Sequence, residues 1–159
     1  MTRGEPGRPW PWLPWLTTIL ALGGLAVAAY LTVAHYTSPQ TLACPDTGFI
    51  NCAKVTTSPQ SVVYGVPVAV VGLVYFALVL VACLPQMWRS PSRWVALGRL
   101  GLVSGAMAFV IYLVGTELLV LGVICLWCAV VHVIQFALFL SVAAGTAARW
   151  PEIRGHIDS

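Results

Sequence analysis

Charge is the scarcest property of this sequence. Only 8% of its 159 residues are Asp, Glu, Lys or Arg, against roughly 25% in a typical soluble domain, so a water-soluble globular fold is excluded. The acids are Glu5, Asp46, Glu117, Glu152 and Asp158, and the eight basic residues are scattered singly, seven of them Arg and Lys54 the one Lys. Such scatter provides no basic patch for nucleic acid. No internal repeat, coiled-coil heptad or low-complexity tract is present either, which removes solenoids, long coiled coils and disordered linkers. What abounds is apolar: 59% of the chain, with a mean hydropathy of +0.88. The chain reads as an integral membrane protein.

Four nearly uncharged stretches stand out: Leu13 to Ala34, Val62 to Leu84, Trp94 to Thr116 with Arg99 near its start, and Leu118 to Ala148. Each reaches the ~20 residues a helix needs to cross ~30 Å of hydrocarbon. The fourth exceeds one crossing, so its first residues, around Gly122, are expected along the outer interface. The fold class that follows is all-α: a four-transmembrane-helix bundle with a cysteine-bearing outer loop that has room for a short helix. Residues 1–12 read as a lead, 13–148 as the membrane domain and 149–159 as a tail.

Orientation follows from basic residues near the span ends. Arg3, Arg8, Arg89, Arg93, Arg99, Arg149 and Arg154 gather on one side, and Lys54 lies on the other. This places both termini in the cytoplasm and the loop from His35 to Ser61 outside. Trp10, Trp12, Trp15, Trp88 and Trp94 are expected in an interfacial belt. Pro6, Pro9, Pro11 and Pro14 delay the first helix until about Leu13. The first apolar run is longer than the 7–15-residue core of a signal peptide, so it is expected to stay uncleaved.

Chemistry concentrates in the cysteines. Cys44 and Cys52 sit in the one substantial polar loop, and Cys125-Leu126-Trp127-Cys128 opens the last apolar run. Cysteines three apart on a helix share a face and can bridge where the helix start is loose, and amides at a helix start favour thiolate. The CxxC pair is therefore read as a dithiol redox site, with a structural bridge, two packed small residues or soft-metal ligands as the other readings. The loop pair suits either a shuttle or a permanent staple. Cys83 falls about 25 Å into its helix at ~1.5 Å per residue, too far from either pair, and reads as a buried thiol.

Neighbours of the CxxC extend the site. His132 lies four residues after Cys128 on the same face, placed either to bond a planar ligand's oxygen or to meet a backbone carbonyl of a neighbouring helix. Trp127 is read as a stacking surface or an interfacial anchor. Lys54 is either a support for a Cys52 thiolate or a solvated lysine. Ser58, before Pro59, is by itself a turn residue.

The segment from Asn51 to Gly72, with Cys44 eight positions before Cys52, Ser58, Gly65-Val66-Pro67 at the start of the second stretch and the CxxC on the fourth, closely resembles bacterial homologues of vitamin K epoxide reductase. The likeness runs from the first apolar stretch to the end of the fourth. It implies a four-helix bundle around a quinone, menaquinone or ubiquinone, in the bacterial inner membrane. It further implies that Cys44 exchanges with a DsbA-like thioredoxin-fold protein, that Cys52 engages Cys125, and that Cys128 faces the quinone. Ser58 matches the family's serine or threonine that supports the active thiols. His132 stands where animal members have a quinone-bonding tyrosine, and Ser61 where they have an asparagine; both are expected at the quinone, with Trp127 as a candidate beside them.

Many bacterial members carry a fused thioredoxin-like domain after a fifth span. About ten polar residues follow the fourth stretch here, so the partner is expected to be a separate chain. No metal ligand set is assigned, although a thiol metal-binding or assembly factor using the CxxC as soft ligands is the alternative. A DsbB-like quinone reductase is disfavoured, because its CxxC belongs in the first outer loop.

Overall fold

The computed structural model describes residues 10–38, 42–45 and 47–155, the side chains of 152–155 excepted. Expectations resting on Arg3, Arg8, Pro6, Pro9, Asp46 and the Arg154 side chain, and on most of the lead and part of the tail, lie outside those residues.

Helix α1 runs Leu13–Tyr36 and opens on Pro14, whose fixed φ suits a first turn. Inside it the hydroxyls of Thr17, Thr18 and Thr32 donate to carbonyls one turn back, which satisfies polar groups without water. A five-residue helix, α2, covers Cys52–Thr56, followed by a 3-10 turn at Pro59–Ser61. Strands β1 (Val62–Val63) and β2 (Val66–Pro67) then form a minute antiparallel hairpin. Helix α3 spans Val68–Cys83 and α4 Pro85–Arg89. Helix α5, Arg93–Gly115, continues into a π turn at Thr116–Leu121, and α6 occupies Leu126–Gly155.

Among the described residues three helical segments are long and apolar enough to cross a membrane: Leu13–Tyr36, Arg93–Leu121 and Leu126–Pro151. The second apolar stretch behaves differently from its expectation. Its helix holds 16 residues, about 24 Å at ~1.5 Å each, short of ~30 Å. The cause is local: Tyr64 and Gly65 both take positive φ, 51° and 82°, the geometry of a two-residue hairpin turn. The residues from Val62 to Pro67 are thereby withdrawn from the helix.

Helix α1 packs on α3 and α6, and α5 packs on α6. Buried Phe76, Val79, Cys83, Val103, Leu138 and Val142 make one core cluster. A second cluster, at the cysteine loop, joins Leu31, Ala34, Leu42, Cys52, Val55, Val123 and Cys125. Large apolar side chains such as Ile19, Val74, Ile111, Val133 and Phe136 stay exposed around the bundle, as helix faces turned to lipid do. The chain is a multi-pass helical membrane protein.

Trp88 departs from the expected belt. Whereas Trp10, Trp12, Trp15 and Trp94 are exposed, Trp88 is buried. Its Nε1–H donates to Thr17 Oγ1 at 3.1 Å, the Arg99 guanidinium sits 3.4 Å over its ring, and Arg149 donates to its carbonyl. Helix α4 turns back under the bundle and carries the indole into the core with a partner for its N–H.

Candidate redox site

Backbone pairing welds the cysteine loop to the start of α6. Asn51 N–H donates to the Ile124 carbonyl at 3.1 Å, and Ile124 N–H to the Phe49 carbonyl at 2.9 Å, forming a parallel bridge between Ile50 and Ile124. Asn51 also caps α2, its Oδ1 accepting from the Lys54 amide at 2.8 Å, the usual work of an N-cap asparagine. Lys54 Nζ donates to the Leu121 carbonyl at 3.2 Å, so this cation supports the end of the π turn. Upstream, Ala43 is held at both ends: its N–H donates to Tyr30 Oη at 3.0 Å and its carbonyl accepts from Trp127 Nε1 at 3.1 Å.

These contacts bring the four cysteines together. Cys44 and Cys52 form a disulfide with Cα atoms 6.1 Å apart. Cys125 and Cys128 carry free thiols. Cys52 and Cys125 are buried in the same cluster, and Cys44 and Cys128 pack against it. Cys125 lies in the extended residues between Gly122, whose φ of +64° ends the π turn, and the first residue of α6. The Cys128 amide points at Cys125 Sγ at 3.3 Å. Hydrogen bonding from the Cys128 side chain, aided by the amides of Cys128 and Trp127, holds the Cys125 thiol below its ordinary value despite burial and the nearby Glu117. Cys125 is thus the sulfur predisposed to thiolate.

Beneath the CxxC opens a cavity of about 490 Å³, walled by α1, α3, α5, α6 and the residues around α2. Its lining is mostly apolar, with Cys128, His132, Ser61, Gln135 and Tyr75 among its polar points. Volume and character suit a planar, largely apolar ligand held by a few hydrogen bonds. Tyr75 Oη donates to Gln135 Oε1 at 2.6 Å, and Gln135 Nε2 donates to the Val103 carbonyl at 2.8 Å. This chain of bonds fixes the wall and satisfies a fully buried amide.

The expected site residues divide into groups. Cys128, His132, Ser58 and Ser61 line the cavity. Ser58 Oγ donates to the Val55 carbonyl at 2.8 Å and Ser61 Oγ to the Ser58 carbonyl at 2.7 Å, so both hydroxyl protons are engaged in turning the chain after α2. Trp127 is not part of the cavity wall; it meets Tyr30 edge to face at 5.0 Å and anchors the loop. Gln135, Tyr75 and Glu117 were not anticipated, although Gln135 follows His132 by three positions on one helix face and Glu117 is an acid within an apolar run. Cys83 is buried and reduced as expected. Among the described residues no three His, Cys, Asp or Glu side chains gather as a metal site requires.

Residues 15–143 match the family described as Vitamin K epoxide reductase family. A relative from Arabidopsis thaliana, named Thiol-disulfide oxidoreductase LTO1, is 33% identical over 119 residues, covering 70% of this chain and 31% of the relative. The chain therefore spans about a third of that protein's length.

Proposed function

The chain belongs to the vitamin K epoxide reductase family, and from that premise we propose that it is a membrane thiol oxidoreductase, moving electrons from a thioredoxin-fold protein to a membrane quinone. The donor is a DsbA-like thioredoxin-fold domain, which leaves oxidised and supports disulfide formation in exported proteins. The acceptor is menaquinone or ubiquinone. The observation that carries this reading is the packing of a loop disulfide and a CxxC dithiol into one buried cluster, with Cys128 opening on the cavity.

The relay follows from thiolate attack on disulfide sulfur. A partner thiolate attacks Cys44 and frees Cys52 as thiolate; the partner's second thiol then resolves the mixed disulfide and frees Cys44. Cys52 attacks Cys125 when the CxxC is oxidised, which releases Cys128 as the thiolate facing the cavity. Cys44 next attacks Cys52, restoring the loop disulfide and leaving the CxxC reduced, the arrangement described above. Bound quinone supplies an acceptor for two electrons and two protons. His132 and Ser61 provide polar contacts on the wall around it, and the apolar lining excludes water.

Four spans complete the bundle, with α3 crossing together with its flanking residues. Both termini face the cytoplasm and the loop with the CxxC faces outward, in a bacterial inner membrane. Reconstitution in liposomes with a reduced thioredoxin-fold protein and a short-chain quinone tests the reading. Wild type should reduce quinone in step with partner oxidation, and alanine at Cys44, Cys52, Cys125 or Cys128 should abolish the coupling. Full coupled activity without Cys128 would overturn it.

A further inference from the structure

Glu117 is an acid in an apolar enclosure. It sits in the π turn, 7% exposed, on the wall of the cavity that Cys128 and His132 also line. Its side chain lies against the backbone amide of Cys125 and within electrostatic range of both CxxC sulfurs. Among the described residues no Lys or Arg lines the cavity, and Lys54 gives its Nζ to the Leu121 carbonyl. Ion pairing does not account for a carboxyl group there. An ionisable group at membrane depth is costly and marks a pathway for charge or protons.

Oxidising the CxxC dithiol breaks two S–H bonds, makes one S–S bond and releases two electrons and two protons. The quinone takes up both electrons and both protons to become the quinol, so the reaction balances without a further co-reactant. The protons still need a route, because the sulfurs are buried and the enclosure is apolar. Other titratable groups face the cavity: His35 from α1, Tyr75 from α3, and Cys128 and His132 from α6. Glu117 combines a place on the wall with nearness to the backbone amide of Cys125, whose sulfur does not itself open on the cavity.

We propose that Glu117 is the proton acceptor for CxxC oxidation: its carboxylate takes the thiol proton of Cys125 as the Cys125–Cys128 bond forms and passes it across the cavity to the quinone. The second proton comes from Cys128, which faces the cavity directly. This inference rests on the quinone-linked reading above.

Two readouts of opposite sign test it. The first uses detergent-solubilised protein without quinone, following the pH midpoint of iodoacetamide alkylation of the CxxC by mass spectrometry. Glu117→Gln should lower that midpoint, because a negative charge opposing a neighbouring thiolate is gone. The second is the rate of quinone reduction by the pre-reduced protein, which Glu117→Gln should slow on the order of 10²-fold, the scale of general acid–base catalysis. Glu117→Asp should recover part of that rate and displace its pH profile, and it carries the test if Glu117→Gln does not fold. An unchanged rate overturns the proposal, and so does a slower rate with an unmoved alkylation midpoint, the mark of structural damage alone. Wild-type protein that reduces no quinone overturns the quinone reading and this proposal with it, a failure visible without any variant.

Discussion

Trp127, set between the two CxxC cysteines, donates its indole N–H to the carbonyl of Ala43, the residue before Cys44. One pair of cysteines thus carries the latch for the other. Tyr30 closes the grip by accepting the Ala43 N–H, so the residue before Cys44 is held by two bonds, one at its N–H and one at its carbonyl.

Trp127→Phe keeps the ring and deletes the donor. One hydrogen bond contributes about 0.5–1.5 kcal/mol net, so opening of the loop should rise roughly 2- to 12-fold. Hydrogen exchange at residues 42–45 should report it. Quinone reduction by the pre-reduced CxxC should be unaltered, and a loop no more open than wild type would exclude the latch.

Cysteine variants should arrest the relay at different points. Cys128→Ala leaves Cys125 without its resolving sulfur, so when Cys44 is also replaced and copper phenanthroline supplies the two-electron oxidation, Cys52 and Cys125 should join in a disulfide. Peptide mapping under non-reducing conditions identifies that bond. Its absence, with Cys52 pairing elsewhere, contradicts the order of exchange.

The Cys125 thiol is held low first by hydrogen bonding from the Cys128 side chain. A group stabilised as thiolate stays reactive below the ordinary cysteine range of about 8.5 and loses reactivity as pH falls through its own value. Cys128→Ala removes the leading cause, so the alkylation midpoint of Cys125 should rise. A midpoint that stays or falls would show that another group sets it.

Gln135→Leu strands the Tyr75 hydroxyl inside the bundle and removes the tie from α6 to the Val103 carbonyl of α5, which keeps its bond within the helix. Leaving buried polar groups unpaired costs about 1–3 kcal/mol, so the melting temperature in a fixed detergent should drop by several degrees. His132→Phe, by contrast, should leave melting near wild type and raise the KM for quinone. His132→Tyr should restore it if a hydrogen bond to the ligand is the residue's contribution.

How much of this was legible in the sequence depends on the range of the interaction. The two cysteine pairs and the long apolar runs are local patterns, and their reading as a multi-pass membrane protein of the vitamin K epoxide reductase family holds. The hairpin at Tyr64-Gly65 was hidden because Val62, Val63 and Val66 keep the hydropathy of a span while the turn residues break its helix. Trp88 looked interfacial by position, since its partner Thr17 lies 71 residues away and Arg99 comes from another helix. The cavity is assembled from several elements, so Tyr75, Gln135 and Glu117 converge only once the helices are packed. The sequence offers Trp127 as a stacking surface or an interfacial anchor, and its bond to the Ala43 carbonyl was not legible there, because any backbone offers such an acceptor.

The seam between Ile50 and Ile124 is stitched by main-chain atoms alone. Exchange of either isoleucine for another β-branched residue leaves those stitches in place, so this stretch tolerates drift in its letters. It does not tolerate drift in its count. A single residue inserted between Ile124 and Cys125 slides that sulfur along the extended chain by about 3.3 Å and turns it to the opposite face, which should silence the protein while every cysteine remains.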